Sequence, residues 1–137
     1  MAHQRHRVWS LKGPVFEFDY QVSKAVRAGN LVFVEGQTGM SMDGQSFIGA
    51  GDPAAQAENA MQCVKILLEE VGAQMEDICK INTYVTEAEY RDLVYPVIAK
   101  HLQGVYPCST GVIVKALGKP EADFEIDVFA VIPEERA

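Results

Sequence analysis

The sequence predicts an α+β fold, a layer of about six strands with two helices packed on one face of the sheet. Three observations predict it. The chain has 137 residues, the size of one domain, and 48% hydrophobic content is ample for a single core. Two stretches repeat apolar residues at helical spacing, and several others alternate apolar with polar residues as strands do. No short-period repeat, low-complexity run or linker divides the chain.

Taken in order, residues 15–20, VFEFDY, alternate apolar and acidic side chains and read as a half-buried strand. Residues 22–28, a Gly29-Asn30 turn and residues 31–36 read as a hairpin. QTGMSMDGQSFIGAG is rich in Gly, Ser and Asp and reads as a loop. Asp52 and Pro53 then supply an N-cap and a first-turn proline, and Ala57, Ala60, Met61, Val64, Leu67, Leu68 and Val71 recur at helical spacing until Gly72 stops them. Residues 77–85 alternate Ile78, Lys80, Asn82 and Tyr84 against Cys79, Ile81, Thr83 and Val85, a strand. Thr86 and Glu89 read as a capping box for a second helix, with Tyr90, Leu93, Val94, Val97, Ile98 and His101 near one side and a kink expected at Pro96. CSTGVIVKAL and DFEIDVFAVIP, separated by a turn around residues 118–120, are two β-rich segments placed to form a hairpin or a pair of neighbours.

Two helices on one face leave the other face of the sheet uncovered. Its alternate positions within 31–34, 112–114 and 124–130 carry many apolar side chains. At about 25 cal/mol per Å² of apolar area, such a face is a poor free surface, so a homo-oligomer that closes over it is expected.

The net charge of −7 repels phosphate backbones and anionic lipid heads, which argues against nucleic acid and membrane partners. No apolar run approaches the roughly 20 residues of a membrane span, and MAHQRHRVW lacks the apolar stretch of a signal peptide. Cys63, Cys79 and Cys108 are an odd set without paired C-x-x-C spacing, which fits a reducing cytosol and suggests neither a disulfide framework nor a zinc cage. His3 and His6 beside Arg5 and Arg7 lack a third ligand and read as an ordinary terminus or edge strand.

The element order, with VSKAVRAGNLVFVEGQTG, INTYVTE and YPCSTGVIVKAL…FEIDVFAV, resembles the RidA family, also called YjgF, over residues 20–132. The hairpin ending in G-Q, the helix after D-P-x-x-Q, and the Tyr-Pro strand followed by an E-I-[DE] strand occur in the family's order. The resemblance implies a chorismate-mutase-like fold with a six-stranded mixed sheet, assembled as a trimer with small-molecule pockets in the clefts between subunits. It implies hydrolysis of reactive enamines and imines to carbonyl compounds and ammonia, with no metal and no organic cofactor. An arginine on the strand after the aromatic-Pro pair would grip the substrate carboxylate, and a glutamate on the last strand would handle water. Here Glu125 matches that glutamate, whereas Ser109 stands where the arginine belongs. The family's pocket tyrosine falls on Val22, the serine ending the third strand on Glu35, the helix asparagine on Asp92 and a strand cysteine on Gly111.

Hydrolysing C=N needs a proton donor, an acceptor for the proton of the attacking water, and a hold on the substrate. Glu35 and Glu125 can supply the first two if they face one ligand, because close acids split their pKa values into a donor and a base. The structural alternatives are that Glu35 accepts N–H bonds from the GQTG turn and that Glu125 sits on a solvent face. Gly36, Gln37, Thr38 and Gly39 could offer backbone donors to an anion, or could form a turn needing positive φ. Cys108, Ser109, Thr110 and Gly111 are a run of small residues whose meaning is room, since no histidine stands in a motif able to activate Cys108 or Ser109. His101 reads as a helix C-terminal residue that favours the dipole.

Loss of the guanidinium disfavours a simple 2-imino acid, because its carboxylate would lie unpaired near Glu35. A neutral, cationic or larger aromatic-derived imine or enamine is favoured, unless Lys24, Arg27 or Lys115 reaches into the cleft. A non-catalytic binding or chaperone-like module is the rival reading that Ser109 raises. A ribonuclease is opposed by the acidic charge and the absence of a basic stripe.

Overall fold

The computed structural model describes residues 3–6 and 21–137. Six strands and two helices follow in the order β1 (Gln4–His6), β2 (Ala25–Ala28), β3 (Leu31–Gln37), α1 (Pro53–Glu70), β4 (Ile78–Val85), α2 (Arg91–His101), β5 (Cys108–Ile113) and β6 (Phe124–Val131). The strand expected over 15–20 lies outside the described residues; among the described strands the sheet begins with β1, paired antiparallel with β2. The hairpin forms as its turn chemistry dictates, with Gly29 at φ 63° between β2 and β3.

The strand order is β1-β2-β3-β6-β4-β5, mixed because β4 and β5 run parallel. The two C-terminal strands are therefore neither a hairpin nor neighbours, contrary to the expectation from their closeness in sequence. The chain leaves β4 through α2, a connection long enough to return β5 parallel to the outer edge of β4, and β6 then inserts between β3 and β4.

Both helices cover one face. Val32, Val34, Ile81, Val85, Phe124, Ile126 and Val128 of the sheet are buried against Met61, Val64, Leu67 and Leu68 of α1 and Val94 and Ile98 of α2. A register irregularity between Ile78 and Lys80 breaks the alternation of β4, so Ile78 and Ile81 both face the core and Cys79 is exposed.

Asp52 caps α1 as its sequence predicts, its carboxylate accepting from the Ala55 N–H at 3.2 Å with Pro53 in the first turn. The glutamine of D-P-x-x-Q is structural. Gln56 is fully buried; its amide donates to the Gly49 carbonyl at 2.9 Å and the Glu121 carbonyl at 3.1 Å, and accepts from the Asp123 N–H at 2.8 Å. It thereby pins the entry of β6 to the first turn of α1. The expected capping box is absent: the Thr86 hydroxyl donates instead to the Asp123 carboxylate at 3.2 Å, and a short 3₁₀ turn, Ala88–Tyr90, leads into α2. Thr86 is thus drawn to the same β6 entry, and Pro96 lies inside α2. No helix among the described residues is long and apolar enough to cross a membrane.

Candidate functional site

The open face of the sheet divides into two halves. Toward one end stand Leu31, Phe33, Phe129 and Val131, each 40% exposed or more, with the rings of Phe33 and Phe129 edge to face at 5.6 Å. Toward the other end the same strands carry Glu35, Glu125 and Asp127, and the neighbouring β4 adds Asn82 and Tyr84.

A bulge makes the polar half. Val34 faces Val128 and Gln37 faces Ile126, so Glu35 and Gly36 together oppose the single residue Asp127. The extra residue turns Gln37 inward, where its amide donates to the Glu35 carbonyl at 2.9 Å, and leaves Glu35 on the open face. Gly36 and Gly39 are not in the positive-φ region, so the glycines of GQTG serve close approach instead of backbone handedness. A Cβ on Gly36 would lie 2.1 Å from Oε2 of Glu125: the Glu125 side chain rests on the bulge.

Register fixes the remaining partners. Tyr84 stands opposite Glu125 and Asn82 opposite Asp127. The Tyr84 hydroxyl donates to Oδ2 of Asp127 at 2.7 Å and the Asn82 amide to Oδ1 at 2.8 Å. Asp127 thus holds a donor on each oxygen, and the bond to it pushes the Tyr84 hydroxyl up to about 12. Glu35 and Glu125 differ. Both are partly buried, yet no hydrogen bond from the described residues reaches either carboxylate. Burial raises the pKa of Glu35, against the field of Lys24 and with that of Glu125; burial and then the charge of Asp127 raise that of Glu125. Two acids held apart from donors and close to like charge are equipped for proton transfer.

Three cations near this face, Arg27, Lys24 and Lys80, donate to groups other than Glu35 and Glu125. Arg27 donates to the Gly29 carbonyl and to the Val71 carbonyl at the end of α1. Lys24 is buried and donates to the Met42 carbonyl at 3.2 Å, while Lys80 donates to the Thr110 hydroxyl at 2.6 Å. Lys115 is exposed beyond the end of β5.

The other predicted site residues scatter. Cys108 and Thr110 pair with Lys80 and Asn82 at the rim of the open face. Ser109 and Gly111 pair with Ile81 and Thr83, which puts them on the helix side of edge strand β5, where a Cβ on Gly111 would lie 2.7 Å from the Tyr95 hydroxyl. Asp92 is exposed in the first turn of α2, and Val22 is partly buried just before β2. One copy of the chain therefore joins Glu35, Gly36 and Glu125, with Cys108 and Thr110 at the rim, and sets Ser109, Gly111 and Asp92 across the sheet. His101 lies 2.8 Å from Glu58 in the helix layer, away from Cys108 and Ser109. Among the described residues no group of three or more His, Cys, Asp and Glu could hold a metal ion.

Asp127, Asn82 and Tyr84 escaped the sequence reading. Their signal was present: the strand alternation puts Asn82 and Tyr84 on one face with Lys80, and Asp127 is the last letter of the E-I-[DE] strand.

Known proteins with this architecture fix its kinship. The family model described as Endoribonuclease L-PSP matches residues 18–132. A solved Mycobacterium tuberculosis member of the YjgF/YER057c/UK114 family superposes with a TM-score of 0.79 at 30% identity, over 96% of this chain and 100% of that one. The chain belongs to the RidA (YjgF) family. RidA of an Antarctic Psychrobacter species superposes with a TM-score of 0.75 at 29% identity, over 93% and 100% of the two chains. A Dermatophagoides farinae relative named 2-iminobutanoate/2-iminopropanoate deaminase is 30% identical over 110 residues, 80% of this chain and 84% of that protein. Escherichia coli YjgH, a RutC family protein, is 31% identical over 119 residues, 85% of this chain and 87% of that one.

Proposed function

We propose that this RidA-family protein is a cytosolic homotrimer that hydrolyses a small reactive imine or enamine, with Glu35 as proton donor and Glu125 as the base for water. The observation that carries the reading is the pair of partly buried carboxylates that take no donor from the described residues, one resting on the Gly36 bulge, in a chain related to a named imine deaminase. Burial raises the pKa of both acids, and each also lies near like charge, Glu35 near Glu125 and Glu125 near Asp127. Such a pair can divide into a donor and a base, and the donor's role is assigned here to Glu35. Water adds to the C=N carbon as Glu125 takes its proton and Glu35 protonates the nitrogen; the carbinolamine then collapses to a carbonyl and ammonia as Glu125 gives its proton to the leaving nitrogen and the hydroxyl proton passes to Glu35, restoring both acids. An enamine is first protonated on carbon.

The apolar half of the open face supports closure by further copies, and a cleft between copies is the arrangement that can bring Ser109 or Asp92 of one copy near Glu125 of another. With Ser109 in place of a guanidinium, the chamber favours a neutral, cationic or larger aromatic-derived substrate over a 2-imino acid. Ammonia release from a panel of imines generated in situ by an amine oxidase tests this. Turnover of at least one such imine is expected, with Glu125→Gln lowering it by about 10²–10⁴-fold. Full activity in that variant refutes the role given to Glu125; binding without turnover in the unmodified protein favours the non-catalytic reading that Ser109 raises.

A further inference from the structure

We infer that Asp127, clamped by Asn82 and Tyr84, is a positioning residue that sets the basicity and the direction of Glu125, and that the three form one device. The inference rests on the function proposed above. The geometry is that of a fixed anion. Asp127 lies two residues beyond Glu125 on β6, hence on the same face. Its two oxygens are occupied at 2.8 Å and 2.7 Å by donors from consecutive outward positions of β4, so the carboxylate cannot swing away from its neighbour. Both donors are neutral and leave the negative charge uncompensated. Glu125 rests against Gly36, where a Cβ would lie 2.1 Å from its Oε2, so the glycine lets the carboxylate lie close to β3.

The charged and titratable groups around Glu125 are, among the described residues, Glu35 on β3 with Lys24 behind it, Tyr84 on β4, Asp127 on its own strand, and Lys80 farther along β4 on Thr110. Lys24 is turned to Met42 and acts on Glu35. Burial makes Glu125 a stronger base than a solvated glutamate, and the fixed charge of Asp127 adds to that effect. Tyr84 has its proton committed to Asp127, so it anchors the clamp and is not itself a proton donor.

Asp127→Asn keeps the shape and removes the charge. In protein labelled with ¹³C at glutamate carboxyls, with the Glu125 signal assigned by its loss in Glu125→Gln, the pKa of Glu125 is expected to fall. The phenolate absorbance of Tyr84 should titrate below its native value of about 12 in the same variant. Tyr84→Phe keeps the ring and the charge of Asp127 but removes one donor, so the pKa of Glu125 should stay or rise. Opposite behaviour of the two variants separates a field effect from general loosening, which would lower the value in both. If Asp127→Asn does not fold, Tyr84→Phe decides alone, and a fall there overturns the inference, as does an unchanged or raised Glu125 in Asp127→Asn. These titrations need no turnover, so they stand apart from the fate of the proposed reaction. Where turnover is found, the acid limb of kcat/KM should move to lower pH in Asp127→Asn with a lower plateau, a signature that lost packing would not give.

Discussion

The two faces of the sheet are made of the same strands and obey opposite rules. On the helix side the polar groups at the entry of β6 are satisfied: Gln56 makes bonds with all its polar atoms and Asp123 accepts from Thr86 and Gln56. On the open side Glu35 and Glu125 are partly buried and take no donor from the described residues, and large apolar side chains stand in solvent beside them. A fold gains nothing by stranding carboxylates in this way. The difference teaches that the helix side is built for stability and the open side for something that arrives.

The contrast breaks most visibly at Phe124 and Phe129, on opposite faces of β6. Phe124 is fully buried, and Phe124→Ala should lower unfolding free energy by about 3–5 kcal/mol in urea melts. Phe129→Ala, at 40% exposure, should cost a dissociated chain well under half as much. Its effect should appear in sedimentation instead, as weakened association. Equal costs in dilute protein would mean that the open face is part of the single-chain core.

Two glycines of GQTG sharpen the contrast at smaller scale. Gly36→Ala drives a methyl into the end of a flexible side chain, Oε2 of Glu125. The carboxylate must move, so activity should fall by about a hundredfold, roughly 2.7 kcal/mol of barrier, with little loss of stability. Gly39→Ala places its Cβ 2.2 Å from the Ile48 carbonyl oxygen, backbone that cannot step aside. It should cost stability first, read as a lower Tm, and affect turnover only through folding.

How far the sequence could be read follows the same division. The β2–β3 hairpin and the start of α1 were legible because their determinants are local: Gly29-Asn30 for the turn, Asp52-Pro53 for the cap. The placement of β6 between β3 and β4 was not, since it depends on pairings between residues far apart in the chain. Thr86 misled because a hydroxyl before a helix can cap it or bind across to Asp123, and only the tertiary structure chooses. Glu125 was found through the resemblance of its strand and Glu35 through its place at the end of the hairpin, but the bulge that turns Gln37 inward and opposes two residues to Asp127 leaves no mark in a period-two pattern. Asp127 was overlooked for the same reason: its importance lies in who holds it.

The smallest expected effect belongs to the helix layer itself, at its solvent edge. Glu58 of α1 accepts from Lys100 of α2 at 2.7 Å and from Gln62 at 2.9 Å, and lies 2.8 Å from His101. These bonds, that from Lys100 foremost, hold its carboxyl at about 2, below the usual 4.5. A depressed folded pKa contributes stability above the unfolded value and loses it as pH falls, so the contribution of Glu58 should be present above about pH 4.5 and gone below about 2. Its size is limited by water, because the side chains of Glu58 and Lys100 are 32% and 66% exposed. Glu58→Gln should therefore cost only about 0.5 kcal/mol at pH 7, less in high salt, and nothing at pH 2. A loss above about 2 kcal/mol that ignores salt would show that the α1–α2 edge is as demanding as the core beneath it, and the division between a stability face and a working face would then need a third region.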